Sequence, residues 1–280
     1  MEGGLQDRSG LRAAQELQVV ALTSQKGGSG KTTMTGHLAV QAARTGKGPV
    51  AIIDTDPQGS IAGWGRSRTA EDPAVFTAVP SQLPGAIAAL RAEGFKLVFV
   101  DTPPAVTEAI SDVVSLSDLV LIPTRPSPHD LRAVGATVDI VETHNRSMIF
   151  IVNSATRGAR ITAEAAVALS QHGTVAPVTV HHRVDYAASM IDGRTVMEVK
   201  EESRSAKEII GLWEYIADRL DRLRTEAIEA AVYDGVSTDS PLQIIDAPAV
   251  DGLVPNRPVV RGGFGRRLDG PRPIDDGPQA

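Results

Sequence analysis

The chain has 280 residues, of which 42% are hydrophobic and only 4% aromatic, which predicts a globular protein with a mainly aliphatic core. It contains no cysteine, which excludes disulfide bonds, thiolate catalysis and cysteine-ligated iron–sulfur clusters. The formal net charge of −6 means that a DNA-binding role would need a local basic surface. No apolar run is long enough to span a membrane, and the first residues lack the apolar core of a signal peptide, so we expect a cytoplasmic protein.

The first strong pattern follows a polar extension at residues 1–17, which has a short helical possibility at 11–17. Residues 18–33 read QVVALTSQKGGSGKTT, an apolar strand followed by a glycine-rich loop and the start of a helix. That order is typical of a phosphate-binding loop. Gly27, Gly28 and Gly30 let the backbone turn its N–H groups toward one point, at which the positive end of the helix dipole is also aimed.

The side chains of this loop predict a site for a polyphosphate and a magnesium ion. Lys31 is the candidate for the β- and γ-phosphates, and the Thr32 hydroxyl is a candidate magnesium ligand. Ser29 and Thr33 belong to the same predicted nucleotide-binding segment, in which the small size of Ser29 matters more than its hydroxyl group.

One position departs from the general loop pattern. Gln25 stands where a glycine is usual, and a second lysine, Lys26, follows it. This KGG-x-GKTT form resembles the deviant Walker A loop of the ParA/MinD superfamily of dimerising ATPases. The resemblance implies that Lys26 crosses a nucleotide-sandwich dimer to the partner's phosphates, that Lys31 serves its own nucleotide, and that the cofactors are ATP and Mg²⁺.

Two later strands deliver aspartates to the predicted site. Residues 50–53 form a short apolar strand that leads into Asp54 and Asp56, and residues 96–100 form a buried strand that ends at Asp101. The second pattern is the Walker B arrangement, in which Asp101 holds the magnesium ion through water. By resemblance, Asp56 orients the attacking water, whereas we expect a structural role for Asp54. An alternative is that Asp54 and Asp56 merely begin a turn.

Two further segments extend the resemblance. After a strand at residues 119–122, the PSPHDL run predicts a helix capped by Ser127, and it resembles the small ParA proteins that lack an N-terminal DNA-binding domain. After a strand at residues 148–152, Asn153 is the candidate for the adenine edge, because one side-chain amide can both donate and accept. Asn153 could equally be a turn former.

Basic side chains in the C-terminal third are candidates for the DNA contact that the resemblance implies. They are Arg183, Arg194, Lys200, Arg204 and Lys207. Acidic residues lie among them, so a solvated, salt-bridged helix face is the alternative interpretation. His181 and His182 are interpreted as a surface pair, since adjacent side chains point in different directions and no further ligand lies at metal spacing.

Alternation of strands and helices predicts an α/β fold with a doubly wound, mostly parallel sheet, here that of a deviant Walker A P-loop NTPase. Residues 18–225 are expected to form the ParA-like ATPase domain, including a weak strand at 178–180 and a last core helix at 203–224. Residues 226–280 are expected to hold the helix end and a low-order tail rich in Gly and Pro. The tail lacks a lysine-rich amphipathic helix, so we expect no membrane contact.

These features predict an ATPase that acts as a switch, releasing ADP and phosphate. The resemblance implies an ATP-dependent homodimer, non-specific DNA binding on the nucleoid, and a ParB-like adaptor that stimulates hydrolysis. The main hypothesis is plasmid or chromosome partitioning. Alternatives are positioning of a protein assembly such as a carboxysome, an accessory ATPase of conjugative transfer, and a small ATP-dependent ligase. Lys26 and the lack of an evident small-substrate motif argue against the ligase.

Overall fold

The structure is a computed structural model that describes residues 17–104 and 108–235 and the backbone of Val254 and Pro255. Its centre is a sheet with strand order β7-β6-β5-β1-β4-β2-β3-β8. The strands are β1 (Gln18–Leu22), β2 (Val50–Asp54), β3 (Ala74–Thr77), β4 (Leu97–Asp101), β5 (Leu119–Thr124), β6 (Ser147–Val152), β7 (Thr174–Val175) and β8 (Val254–Pro255). The first seven pair in parallel and β8 is antiparallel to β3, which confirms the predicted mostly parallel sheet.

Helices cover both faces of this sheet. They are α1 (Lys31–Arg44), α2 (Ser60–Ser67), α3 (Leu83–Ala92), α4 (Glu108–Ser115), α5 (Pro128–Thr143), α6 (Arg160–Ser170), α7 (Val184–Met190), α8 (Val196–Val199) and α9 (Arg204–Gly235), with a 3₁₀ turn at Pro80–Gln82. Along β1, Val20 and Leu22 pack on the side of α1 and α9, whereas Val19 and Ala21 pack on the side of α3. Burial on both faces explains why these strands read as continuous apolar runs.

The last helix confirms its predicted buried face and exceeds its predicted length. Side chains spaced at helical intervals on α9 lie in the core, namely Ile209, Leu212, Trp213, Ile216 and Leu220. The helix continues to Gly235, beyond the predicted end at residue 224. Its extra turns carry mostly exposed side chains through residue 230, so this part of the helix adds little to the core.

One predicted strand is wrong in position. The edge strand β7 is Thr174–Val175, and residues 178–180 form no strand. Val180 still donates its N–H to the Val152 carbonyl at 2.9 Å and accepts from the Ala155 N–H at 3.1 Å. Pro177 lies between the two stretches and has no N–H to donate, which interrupts the ladder.

Other local predictions have clear outcomes. Ser127 caps α5 by accepting the Asp130 N–H at 3.1 Å, with Pro128 as the first helical residue, and this prediction is confirmed. Residues 11–16 of the helical possibility at 11–17 and most of the expected low-order tail lie outside the described residues. Within the described ranges no helix is long and apolar enough to cross a bilayer.

Candidate functional site

The carboxyl ends of three central strands meet beside the glycine-rich loop. Leu22, the last residue of β1, is in register with Asp101 at the end of β4, and Asp101 is in register with Asp54 at the end of β2. Since all three strands run in parallel, the loop after β1 and the carboxylates after β2 and β4 lie at one edge of the sheet. Sheet order therefore assembles residues that are 47 positions apart, Asp54 and Asp101, next to the loop.

The backbone of the loop has the geometry of an anion cradle. Gly28 and Gly30 adopt φ of 71° and 98°, a region that favours glycine. Gly30 is the N-cap of α1 and makes no side-chain cap, while its carbonyl accepts the Met34 N–H at 2.9 Å. The N–H groups at the start of α1 are thus left to an external acceptor, and the helix dipole favours a negative one.

Lys31 is buried at the base of this loop. Its side chain is 6% exposed, and Nζ lies 3.4 Å from the Ser24 carbonyl oxygen. Burial lowers the pKa of Lys31, while the nearby carboxylates of Asp101 and Asp56 oppose that shift. A phosphate group at the loop would stabilise this partly desolvated cation.

Thr32 and Asp101 form the candidate magnesium site. The Thr32 hydroxyl donates to Asp101 Oδ2 at 2.7 Å, and the Thr35 hydroxyl lies 3.2 Å from Oδ1. Burial raises the pKa of Asp101 to about 7, against the Thr32 hydrogen bond, which lowers it. Hydroxyl and carboxylate oxygens are ligands that Mg²⁺ prefers, and a bound cation would favour the ionised carboxylate, so these residues fit the ion.

The aspartate that ends β2, Asp54, and the one two residues later, Asp56, occupy different environments. Asp54 is buried and accepts the N–H groups of Ala62 at 2.9 Å and Asp56 at 3.0 Å, which ties the end of β2 to α2. Asp56 is half-buried, and its Oδ1 accepts the Gln58 N–H at 2.9 Å. This geometry gives Asp54 a structural position and leaves Asp56 partly open toward solvent, where a water could reach it.

Lys26 contrasts with Lys31. Its side chain is exposed, and within the described ranges it makes no ion pair or side-chain hydrogen bond. Only its backbone N–H is engaged, 3.4 Å from Ser24 Oγ. Gly27 is exposed beside it, and a Cβ at Gly27 would come no closer than 3.9 Å to Pro104.

Asn153 lies under the loop. Its side chain is 7% exposed, and Nδ2 donates to the Ser29 carbonyl at 2.7 Å. A Cβ on Gly30 would lie 2.2 Å from Nδ2, so Gly30 is needed for close approach as well as for its positive φ. One N–H of the Asn153 amide is thus used on the loop backbone here, and the adenine role stays a prediction. Ser29 itself is buried, and its hydroxyl has no partner within the described residues. Thr33 offers its carbonyl to His37 Nδ1 at 2.8 Å.

The five candidate DNA residues divide by their partners. Arg183 is paired with Glu208, Arg194 with Asp192, and Lys207 with Glu202. Lys200 and Arg204 are exposed and make no ion pair in the part of the chain that the structure describes. His181 also contacts Glu208, through Nδ1 at 2.8 Å, and the described residues contain no cluster able to hold a metal ion.

Sequence reasoning overlooked two residues of this site. Thr35 lies three positions after Thr32 on α1, so both side chains reach Asp101 from the same face of the helix, a spacing that could have been noticed. Arg125, directly after β5, lies against Gly28 with its Nη1 3.7 Å from the position of a Cβ there. No local pattern marks Arg125, because the contact depends on β5 lying next to β1.

Comparison with known proteins agrees with this geometry. The model of the CobQ/CobB/MinD/ParA nucleotide binding domain matches residues 20–222. Maintenance of carboxysome distribution protein A of Gloeobacter kilaueensis is 31% identical over 212 residues, which cover 73% of this chain and 94% of that protein. Chromosome partitioning protein ParA of Caulobacter vibrioides is 30% identical over 153 residues, which cover 40% of this chain and 57% of that protein. A Cyanothece McdA variant solved in complex with ATP shares the fold, at 17% identity and a TM-score of 0.61, covering 72% of this chain and 97% of that one.

Proposed function

Because the chain belongs to the CobQ/CobB/MinD/ParA nucleotide-binding domain family, we propose that it is an ATP-dependent dimerising switch that distributes a protein assembly within the cell. The cargo is inferred from the relatives. The carboxysome distribution protein of Gloeobacter kilaueensis matches over 94% of its length, whereas the Caulobacter ParA matches over 57%. This favours the positioning of a protein assembly over plasmid or chromosome partitioning, which was the main hypothesis from the sequence.

The observation that carries the switch is the contrast between the two loop lysines. Lys31 is buried among the groups of its own site, while Lys26, five residues earlier, is exposed and has no partner in the described ranges. A buried lysine beside the loop suits the nucleotide of its own chain. An exposed lysine on the open side of the same loop suits the phosphates of a second copy.

The residues of the site have distinct parts in the proposed cycle. The loop backbone and Lys31 bind the polyphosphate. Thr32, and Asp101 through water, would hold a Mg²⁺ ion, which would neutralise phosphate charge. Asp56, half-buried and beside Lys31, orients the attacking water. Hydrolysis removes the γ-phosphate that Lys26 of the second copy would contact, so the dimer dissolves.

The dimer binds DNA without sequence preference and uses it as the track for positioning. An adaptor on the cargo accelerates hydrolysis, so that the chain leaves DNA near the cargo. Both partners follow from the family resemblance, and the exposed Lys200 and Arg204 supply cations for the DNA contact.

The test is a deletion of the gene in the organism that produces the protein. We expect protein assemblies, followed by fluorescent tagging and microscopy, to cluster or lose their spacing, while plasmid and chromosome loss rates stay at the level of the parent strain. Complementation with the unmutated gene should restore the spacing, and Lys31→Ala should not. Evenly spaced assemblies together with an increased loss of a plasmid or chromosome would replace positioning by partitioning.

Partitioning is the second candidate, favoured by the 30% identity to the Caulobacter chromosome partitioning protein. A phosphate-release assay with the purified protein distinguishes a ligase from both of these functions. A switch releases phosphate from ATP without any small co-substrate, and DNA together with the adaptor accelerates the release.

A further inference from the structure

Arg125 brings a third cation to the edge of the phosphate loop. It follows directly after β5, whose neighbour in the sheet is β1, so the residues after both strands lie side by side. Nη1 of Arg125 lies 3.7 Å from the position that a Cβ on Gly28 would take. Gly28 has a φ of 71° and sits in the turn whose N–H groups form the anion cradle.

The guanidinium is held at one end by a buried carboxylate. Arg125 Nε donates to Asp130 Oδ1 at 2.9 Å, and Asp130 is only 6% exposed. Asp130 is fixed in turn by Ser127, which accepts the Asp130 N–H at 3.1 Å and makes a short hydrogen bond from its hydroxyl to Oδ2. The Nε edge of the side chain is therefore anchored to the first turn of α5.

The other end of the guanidinium is available. Within the described ranges, Nη1 and Nη2 of Arg125 make no hydrogen bond, and the side chain is 40% exposed. An open cavity of about 430 Å³ adjoins it, lined also by Ser127, His129, Ser154 and Thr156. Two parallel N–H donors next to a phosphate loop match the bidentate geometry in which guanidinium groups bind phosphate oxygens.

From this geometry we infer that Arg125 binds the terminal phosphate of the nucleotide, and that Asp130 positions it for that contact. The inference rests on the proposed function in taking a nucleoside triphosphate as the ligand. Lys31 enters the site from the start of α1, whereas Arg125 enters from beyond Gly28, on the open side of the loop. The two cations thus flank the loop from different sides.

An ion pair with Asp130 alone does not account for the position of the whole Arg125 guanidinium. An ion pair with one partner 40% exposed contributes little to stability, because solvent screens it. Asp130 also has Ser127 as a second partner, so it does not depend on Arg125 alone. Neutralising Asp130 requires only Nε of Arg125 and does not explain why Nη1 lies next to Gly28.

The test measures the dissociation constants of ATP and ADP, with Mg²⁺, by isothermal titration calorimetry. For Arg125→Gln we expect ATP affinity to fall by about tenfold or more, as for loss of a charge-assisted hydrogen bond, and ADP affinity to change by less than about twofold. Arg125→Lys, which keeps the charge without the fork, should lie in between. Asp130→Asn should also lower the ratio of ATP affinity to ADP affinity, as Arg125→Gln does.

The matched control is Arg132→Gln, which removes the same charge from an exposed position on the same helix, α5. It should leave both affinities unchanged, and circular dichroism melting verifies that every variant is folded. The inference would be overturned if Arg125→Gln lost the same affinity for ATP and ADP, or lost affinity for neither. If Lys31→Ala lost ATP while Arg125→Gln kept it, only this inference would fail; if Lys31→Ala bound ATP normally, the proposed function itself would fail.

Discussion

At the scale of single residues, burial separates side chains that look alike in the sequence. Lys26 and Lys31 belong to one short loop, yet Lys31 is 6% exposed and Lys26 faces solvent. Asp54 and Asp56 are two positions apart, yet Asp54 accepts two backbone N–H groups and Asp56 accepts one. Different surroundings predict different mutant phenotypes for each pair.

Lys26→Ala should bind ATP with nearly unchanged affinity and remain monomeric, because the exposed lysine contacts nothing in its own site. Lys31→Ala should lose about tenfold or more in nucleotide affinity, since it removes a charge-assisted contact. Light scattering with ATP, ADP and no nucleotide measures the dimer. Lys96→Ala, an exposed lysine just before β4 at the opposite end of the sheet, is the control and should dimerise normally. Normal dimerisation of Lys26→Ala would refute the contact across the dimer.

Asp56→Ala should retain ATP binding and lose hydrolysis, because only the water-orienting carboxylate is removed. The dimer should then persist, because only hydrolysis of the bound ATP ends the dimeric state. Phosphate release and the lifetime of the dimer are the two measurements. Asp54→Asn serves as a comparison, because it alters the anchor of α2 and should lower stability first. Turnover of Asp56→Ala at the unmutated rate would show that another group orients the water.

His37 predicts a pH dependence of stability. The ring is fully buried in α1, and burial lowers its pKa from 6.5 to about 4. The unfolded chain takes up a proton below pH 6.5 that the folded chain takes up only near pH 4, so stability falls as pH decreases through this window. Between pH 7 and pH 4.5, the unfolding free energy should drop by about 2 kcal/mol more than that of His37→Gln. Urea denaturation at both pH values measures this, and parallel pH curves for the two proteins would contradict it.

At the scale of elements, close backbone approach decides how α2 meets the segment before α8. Gly193 has a φ of 81°, and a Cβ there would lie 2.4 Å from the Ser67 carbonyl carbon at the end of α2. Arg68 Nη1 donates to the Gly193 carbonyl at 2.8 Å, and both Nη groups of Arg68 contact Glu198. Gly193 and Glu198 thus hold the end of α2 against the segment around α8.

Gly193→Ala should lower the unfolding free energy by about 3 kcal/mol, combining backbone strain at positive φ with overpacking against Ser67. Gly46→Ala is the matched control. Gly46 has a φ of 78°, but a Cβ there meets nothing within 4 Å, so only the backbone strain of about 1 kcal/mol applies. Denaturant unfolding of both variants gives the comparison. Equal losses of unfolding free energy in the two variants would mean that the backbone around Ser67 moves away from the added Cβ at no cost.

At the scale of the whole molecule, the net charge of −6 and the ion pairs restrict where DNA could bind. Three of the five candidate side chains, Arg183, Arg194 and Lys207, already have carboxylate partners. That supports the salt-bridged interpretation for those three. Lys200 and Arg204 keep the DNA hypothesis open, and a single chain would supply too few such contacts for binding at physiological salt.

DNA should therefore bind only the ATP dimer, because dimerisation doubles the number of contacts at high effective concentration. The logarithm of the affinity should fall with the logarithm of the salt concentration, with a slope of about −0.9 per phosphate contacted, whatever the sequence. Fluorescence anisotropy with ATP and with ADP measures it. Lys200→Glu with Arg204→Glu should abolish binding, while Arg222→Glu on the exposed far part of α9 should not. Equal binding with ADP would remove DNA from the switch, and full binding by the double variant would place the DNA surface elsewhere.

The sequence by itself determined the strand–loop–helix unit, the two lysines and the doubly wound α/β class. These features are local, since a contiguous run of residues specifies each one through apolar period, glycine content and capping. The prediction of a strand at residues 178–180 was wrong because one proline shifted the pairing to residues 174–175. A short, weakly apolar run also carries little periodic signal. The predicted end of α9 at residue 224 was too early, since apolar residues continue beyond it at Ala227, Ile228 and Ala230.

Only the tertiary structure decided which distant side chains share the site. Asp101 reaches Thr32, Asn153 reaches the Ser29 carbonyl, and Arg125 reaches Gly28, because β4 and β5 flank β1 and β6 lies next to β5. The ion pair of Arg183 with Glu208 likewise depends on how α7 and α9 pack, whereas Arg194 and Lys207 pair with residues close to them in the sequence. Strand order and helix packing arise from long-range burial of both sheet faces, and no local pattern in a single sequence encodes which crossover places one strand beside another.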